Sequence, residues 1–435
     1  VDYFGGKRMT KEQRQLKNNY QTLNKKYQQR YSMISRLNNR FETYGYEQIE
    51  IPTYESYDLY TSIKGTVHRQ DMVKTIDPSG EVLVLRPDVT IPIMKKVSEQ
   101  RHKQPTNVRY YYTLNVFRHS FGTGQNKERT QSGVELLGND SIEADAELIA
   151  LAVHNLRDLS LQNFKIELGH AQFLKILIDE LHLSHDLYKD LKQLIHSKNM
   201  IELTPFLNKH VTDEKLKQAV QQIPLLYGQP EDVFHQAKDI VLNDTLQSYL
   251  QYLQNLYDIL IDYGVSEHIV IDLGLVNHMD YYSGIIFQGF VHTVGKPVLM
   301  GGRYDELSKQ FQANIPAIGF AIDIDTLLLS LPIINPTIKS NDIVITYVPS
   351  KRQESLSFAS LLRDSNYRVI TTEHPAENYR MKISINEDNI AVKQNGKTTY
   401  FQSTNDLYDW LSLRGKNIEF DNTRIGEGKD SKGYD

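Results

Sequence analysis

Residues 108–138 read VRYYYTLNVFRHSFGTGQNKERTQSGVELLG. The first arm alternates aromatic and polar residues with the period of two that a half-buried strand requires. A polar, glycine-bearing stretch, FGTGQNKERT, interrupts it, and TQSGVELLG resumes the strand. Strand, loop and strand predict an antiparallel hairpin. Alternate residues of such a sheet share a face. Arg118 on one arm and Gln131 and Glu135 on the other therefore can point the same way, and Glu135 follows Gln131 by an even step of four.

Working outward, residues 7–45 carry apolar positions at helical spacing, Leu23, Tyr27, Tyr31, Ile34, Leu37 and Phe41, and predict a long amphipathic helix ending near Gly45. IEIPTYE is a short strand stopped by Pro52. The stretch 67–93 reads as strand, turn at Asp77-Pro78-Ser79-Gly80, strand and helix start. SIEADAELIALAVHNLRDL is a helix with Ser141 as N-cap and acidic residues in its first turns, where the helix dipole favours them. FKIELGH is a strand. Residues 171–267 are nearly all helical and predict an insertion. Strands resume at HIVIDLG and run on through LGLVNHMDYYSGIIF at 273–287. Past Pro332 a linker leads to a small βαβ-like unit and a last helix, NDLYDWL. The tail from Gly415 lacks periodicity. The domains expected are a core at 1–330, an insertion at about 171–267, an α/β unit at 336–413 and a polar tail at 415–435.

The 435 residues are 40% hydrophobic and 24% charged, with a formal net charge of -5. That balance disfavours a protein whose main task is gripping nucleic acid. The first fifty residues nonetheless hold ten Lys and Arg against five Asp and Glu. Cysteine is absent, which excludes disulfides, thiolate metal sites and a Cys nucleophile. No apolar run approaches the ~20 residues that cross a bilayer, and a cytoplasmic location is expected. Fourteen His are scattered without metal-ligand spacing, so neither metal nor cofactor is expected. The stretch FGTGQNKE has phosphate-loop glycines but lacks G-K-[ST].

A set of polar groups falls on the expected strands: Arg86, Asp88 and Thr90 in LRPDVT, Arg118 in VFRH, Gln131 and Glu135 in QSGVE, and Asp280, Tyr281 and Tyr282 in MDYYSG. Carboxylates with tyrosines suit a small amino-bearing ligand, and Arg118 suits a carboxylate or phosphate. Each residue taken singly reads as structural. The set reads as a site.

These same segments resemble histidyl-tRNA synthetases. LVLRPDVTIPI is similar to the family's R-P-E-G-T strand, NVFRH…QSGVELLG to its motif 2, MDYYSGIIF to its R-G-L-D-Y-Y segment, and IEIPTYE to motif 1. GGRYDEL and AIGFAIDIDTL are similar to its G-G-R-Y-D-x-L segment and motif 3. Order and spacing match over about residues 30–330. The resemblance implies an α+β fold of the class II aminoacyl-tRNA synthetase type, an antiparallel sheet flanked by helices and usually dimeric through motif 1. It carries a histidine pocket onto Asp88, Thr90, Arg118, Gln131, Glu135, Tyr281 and Tyr282.

The departures concern the phosphate chemistry. Asn277 stands where the family has the Arg that drives adenylate formation, with His278 in place of Gly. Thr326 stands for the motif 3 Arg, Asp325 for Glu and Asp323 for Gly. Fixed positive groups stabilise the charge that builds on phosphorus, and losing one typically costs ~2.7 to 4 kcal/mol. A chain that keeps the amino-acid pocket without that machinery resembles the regulatory subunit of ATP phosphoribosyltransferase. That resemblance implies no catalytic residues, a partnership with the short-form catalytic subunit, and histidine as an effector. It further implies a self-dimer within a hetero-oligomer, with tRNA not a partner. The alternatives are a divergent histidyl-tRNA synthetase and a synthetase-like sensor of uncharged tRNA, though the kinase normally fused to such sensors is missing.

Overall fold

The computed structural model describes residues 3–4, 7–8, 11–65, 67–100, 107–119, 127–161, 163–276, 281–331, 341–365, 367–372 and 379–415. For 3–25, 341–342 and 413–415 it describes the backbone alone. Asn277, His278 and Asp280, residues 120–126 of the hairpin loop, the linker 332–340 and the tail from 416 lie outside the described residues. The chain divides into two units, 1–334 and 335–435.

The first unit is organised by a nine-stranded sheet. Its strand order is Tyr227–Gly228, Ile269–Asp272, Phe164–His170, Ile285–Val291, Leu299–Arg303, Ala317–Asp323, Glu128–Leu137, Val108–Phe117 and Glu47–Gln48. From Phe164–His170 through to Val108–Phe117 every neighbouring pair is antiparallel; Ile269–Asp272 and Glu47–Gln48 add in parallel on either side, and Tyr227–Gly228 pairs antiparallel at the first edge. The hairpin pairs Val108 with Leu137 and Phe117 with Glu128, one continuous register over ten residues.

Alternation gives this sheet two unlike faces. One face presents Val134, Leu136, Ile318, Phe320, Ile322, Ile285, Phe287, Ile166 and Leu168, all buried. It belongs to the core that the helices Ile142–Asp158 and Asp244–Asp262 complete. Ile142–Asp158 is apolar almost all round, as a helix sandwiched between layers requires, whereas Asp244–Asp262 buries a single stripe of Leu246, Leu250, Leu253, Leu256 and Leu260. Ser141 caps the first of these helices, its Oγ accepting from the Ala144 N–H at 3.2 Å. The other face presents Gln131, Gly133, Glu135, Gly302, Gly319 and Ala321, and it carries the site.

The first helix runs over Lys11–Thr43 and stops at Gly45, whose φ of 77° continues the chain where a side chain would strain it. The apolar stripe expected along it is only half buried. Met33, Leu37 and Phe41 enter the core, but Tyr27 and Tyr31 are 68% and 67% exposed. Two further expectations change. Arg86 and Asp88 sit in the turn after the strand Val82–Leu85, and Thr90 opens the helix Thr90–Glu99, so none of the three lies on a strand. Tyr281 and Tyr282 precede the strand Ile285–Val291, because the strand Ile269–Asp272 breaks off at Leu273-Gly274. There Gly274 N–H donates to the Asp272 carboxylate at 2.9 Å and turns the chain.

Between 171 and 262 the chain forms helices at Ala171–Asp179, His185–His196, Met200–His210, Glu214–Gln222, Pro230–Ala237 and Asp244–Asp262. The second unit is a five-stranded sheet. Asn341–Tyr347 pairs in parallel with Val369–Thr371 and Tyr379–Ile385, and a hairpin adds Ile390–Gln394 and Lys397–Phe401. Asn395 and Gly396, both at positive φ, make the tight turn of that last hairpin. The helix Arg352–Asp364 crosses between the first two strands as a βαβ unit.

Candidate amino-acid-binding site

Glu135 is the centre of the polar face. It sits mid-strand, 2% exposed, in register with Tyr110 on one side and Gly319 on the other. Thr90 Oγ1 donates to one carboxylate oxygen at 2.6 Å, and the Tyr304 hydroxyl donates to the other. Burial pushes the Glu135 pKa up to about 8, against the lowering effect of these two hydrogen bonds. The carboxylate lies across the neighbouring strand because position 319 is glycine. A Cβ built there would fall 1.8 Å from Glu135 Oε2. Gly302 does the same on the next strand, where a Cβ would come 2.7 Å from the Tyr282 ring and 2.5 Å from the Ile285 carbonyl oxygen. The two glycines are paired in register, so they form a bare strip over which acidic and aromatic side chains fold.

Asp88 reaches this space from the turn before the helix Thr90–Glu99. Its side chain accepts from the Ile91 N–H at 3.0 Å, so it caps that helix while remaining 7% exposed. Burial raises its pKa to about 6, partly offset by the Ile91 N–H and by Arg118. Arg118 ends the hairpin arm on the same face, with Nε donating to the Pro87 carbonyl at 2.6 Å, and burial lowers its pKa. Tyr281 and Tyr282 pack 4.8 Å apart between ring centroids, and Tyr304 meets both edge to face. Burial raises the pKa of all three tyrosines, so they are neutral donors at physiological pH. Gln131 lies half-buried two residues of strand away from Gly133, on the same face.

The structure thus brings Asp88, Thr90, Arg118, Glu135, Tyr281 and Tyr282 around one end of the sheet, with Gln131 further along the same strand face. Their chemistry suits a ligand with an ammonium or imidazole group and a carboxylate: buried carboxylates, neutral tyrosine donors and one guanidinium. Sequence reading missed Tyr304, Tyr112 and Tyr60. Tyr304 stands in GGRYDEL, directly after Arg303, and the two point to opposite sides. Arg303 pairs with the fully buried Asp145 of the helix Ile142–Asp158, which also accepts from the Tyr252 hydroxyl at 2.6 Å. Tyr304 directly follows the last residue of the strand Leu299–Arg303, and the buried pairing that fixes Arg303 spans 158 positions, so the sequence gives no local signal for it. Tyr60 is 2% exposed, feels the charge of Asp88, and its hydroxyl has no hydrogen-bond partner among the described residues.

The other side of the face is closed. Asp323 caps the helix Ile324–Ser330, its Oδ1 accepting from the Thr326 N–H at 2.9 Å and its Oδ2 from the Thr326 hydroxyl at 2.7 Å. Arg129 donates to that same Oδ2 at 2.6 Å and to Thr326 Oγ1 at 3.3 Å. Asp325 accepts from the Thr130 N–H at 2.8 Å and pairs with Arg30 of the first helix. Thr326 is 1% exposed. Each aspartate thus has its own arginine, Asp323 with Arg129 on this face and Asp325 with Arg30 beside Thr130 on the opposite one, and Thr326 belongs to the cap.

Among the described residues no group of three or more His, Cys, Asp or Glu is arranged to hold a metal ion, and no helix is long and apolar enough to cross a membrane.

The histidyl-tRNA synthetase family model matches residues 21–327. The chain is 48% identical over 343 residues to the ATP phosphoribosyltransferase regulatory subunit of Oceanobacillus iheyensis, covering 78% of this chain and 83% of that one. It is 34% identical over 339 residues to the protein of the same name from Ruminiclostridium cellulolyticum, covering 77% and 81%. Among solved structures it is similar to an ATP phosphoribosyltransferase regulatory subunit/histidyl-tRNA synthetase from Bacillus halodurans. That match has a TM-score of 0.74 and 27% identity, covering 83% of this chain and 94% of the other. A histidyl-tRNA synthetase from a Nostoc species matches in fold, with TM-score 0.74, 19% identity and coverage of 89% and 96%.

Proposed function

We propose, from the premise that this chain belongs to the ATP phosphoribosyltransferase regulatory subunit family of histidyl-tRNA synthetase-like proteins, that it is a non-catalytic regulator of the first step of histidine biosynthesis. Its partner is the short-form catalytic subunit, which it activates, and histidine is the feedback signal. The observation that carries this reading is the contrast within one sheet face. The amino-acid side holds buried carboxylates whose pKa values are raised, while further along the same face Asp323 is bonded to Arg129 and Thr326, where a synthetase keeps a cation for phosphate.

In this reading Glu135, Asp88 and the tyrosine hydroxyls meet the amino and imidazole groups of histidine, Thr90 and Gln131 orient them, and Arg118 meets the carboxylate. Occupancy shifts the equilibrium between more and less active assemblies, a coupling of ~1–3 kcal/mol that must be reciprocal. The chain dimerises through the region of Tyr54, Ile76 and Val82, which are 56%, 70% and 39% exposed on the three-stranded sheet that follows motif 1. The unit at 336–413 is a reduced anticodon-binding-like unit serving packing or partner contact, and the chain works in the cytoplasm.

The test mixes the chain with a short catalytic subunit and measures phosphoribosyl-ATP formation with and without histidine. In parallel, histidine-dependent ATP–pyrophosphate exchange is measured for the chain alone. Stimulation and histidine inhibition without exchange support the proposal. Exchange by the chain alone would sink it in favour of a divergent synthetase.

A further inference from the structure

The polar face carries a second concavity that the amino-acid site does not use. A cavity of about 350 Å³ opens between the helices Ala171–Asp179 and His185–His196 and the start of the strand Ile285–Val291 at Ile286. Ile286 is in register with Gly302, which is in register with Gly319 and so with Glu135. The cavity therefore continues the cross-strand row on which the amino-acid site is built, and Tyr282 walls both.

Its lining is cationic. Lys175 comes from the first helix, and His185, Lys189 and Lys192 come from the second. The last three are spaced four and three residues apart, so a single stripe of that helix faces the space. Among the described residues no Asp or Glu lines it, which leaves a formal charge of +3 with the histidine neutral. Lys175 does pair with Asp179 at 2.6 Å, but both are about half exposed, and exposed pairs at this spacing are weak, so a ligand can compete for the ammonium. The remaining wall is mixed: Leu275, Ile286 and the Tyr282 ring give it an apolar side, and Gln172 and Tyr188 add polar groups. Lys175 and Lys189 are exposed and Lys192 is half-buried, and all three line the same hollow. Ammonium groups act as point-charge partners of phosphate oxygens. The volume lies within the range of small-molecule sites.

We propose that this cavity binds a small phosphate-bearing molecule, with the phosphate on Lys175, Lys189 and Lys192 and its sugar or ring against Leu275, Ile286 and Tyr282. The site does not depend on the identity of the ligand at Glu135. Calorimetric titration of the full chain with inorganic phosphate, ribose 5-phosphate and AMP tests it. Saturable submillimolar binding of at least one is expected, and Lys189→Glu and Lys175→Glu, both at exposed positions, each weaken it at least tenfold. Lys189→Arg retains binding, and Lys238→Glu, which lies outside the cavity, leaves it unchanged. Equal affinity for all three probes assigns a free-phosphate site; preference for ribose 5-phosphate or AMP brings the apolar wall into use. Absence of saturable binding, binding indifferent to both charge reversals, or retention of RNA alone would overturn the proposal.

Discussion

The two ends of one sheet face have resolved the same electrostatic problem in opposite ways. At the Glu135 end, two carboxylates are buried with hydrogen-bond donors but without a fully committed cation, and their pKa values rise to about 8 and about 6. At the Asp323 end, the half-buried carboxylate has Arg129, the Thr326 hydroxyl and a backbone N–H donor, all within the helix cap. Burying a charge costs free energy unless it is paired. A fold retains that cost where an incoming ligand supplies the missing charge, and relieves it where none is awaited. The difference separates a site that is waiting from one that has been filled by its own side chains.

The largest effect should come from the waiting end. Glu135→Ala removes the central acceptor, and hydrogen bonds to charged groups contribute ~1.5–3 kcal/mol, so histidine affinity should fall ~10- to 100-fold and feedback inhibition should be relieved. Calorimetry and inhibition curves check this, and unchanged inhibition with the assembly intact would remove Glu135 from the site. Next comes a pH effect. A ligand that prefers the carboxylate must displace the proton that burial retains on Glu135. Histidine should therefore bind more tightly as pH rises from about 6.5 toward about 8, the value to which burial lifts Glu135, releasing protons visible as a buffer-dependent binding enthalpy. Buffer-independent enthalpy across that range would contradict the assignment.

The unliganded chain offers a third test. The folded state holds a proton on Glu135 up to about pH 8, whereas the unfolded chain releases it near 4.5. Between those values the folded state binds more protons, so stability falls as pH rises and is fully present only below about 4.5. Glu135→Gln should flatten that fall and raise the melting temperature at about pH 8. The same sign holds for Asp88 between about 3.8 and 6. The smallest effect belongs to the filled end. Asp323→Ala should cost ~0.5–2 kcal/mol through loss of the helix cap, measured by urea unfolding, without altering histidine affinity. A large change in affinity would show that the two ends are not separate.

The fold was legible because several segments combined correct alternation with correct order. The hairpin at 108–138, the Ser141 cap and the βαβ unit need only local patterning. Glu135 and Thr90 were legible as residues, but their contact was not, since it spans 45 positions and depends on Gly319 being bare. The placement of Asp88, Tyr281 and Tyr282 on strands failed because turn geometry around Pro87 and Gly274 outweighed the β-forming neighbours. Tyr27 and Tyr31 misled for a different reason: helical spacing reports a face, not whether anything in the same chain covers it. The roles of Asp323 and Thr326 were read as missing phosphate contacts, whereas their partnership with Arg129 is a tertiary fact with no local signature.

Asp323 also bears on history. Resuming phosphate chemistry would mean exchanging it for a residue as small as glycine, but that single step uncaps the helix Ile324–Ser330 and deprives Arg129 of that carboxylate. Thr326 would have to change at the same time, although it is 1% exposed and bonded to the same aspartate. The cap thereby couples positions 129, 323 and 326, so that a change at any one of them is felt by the other two.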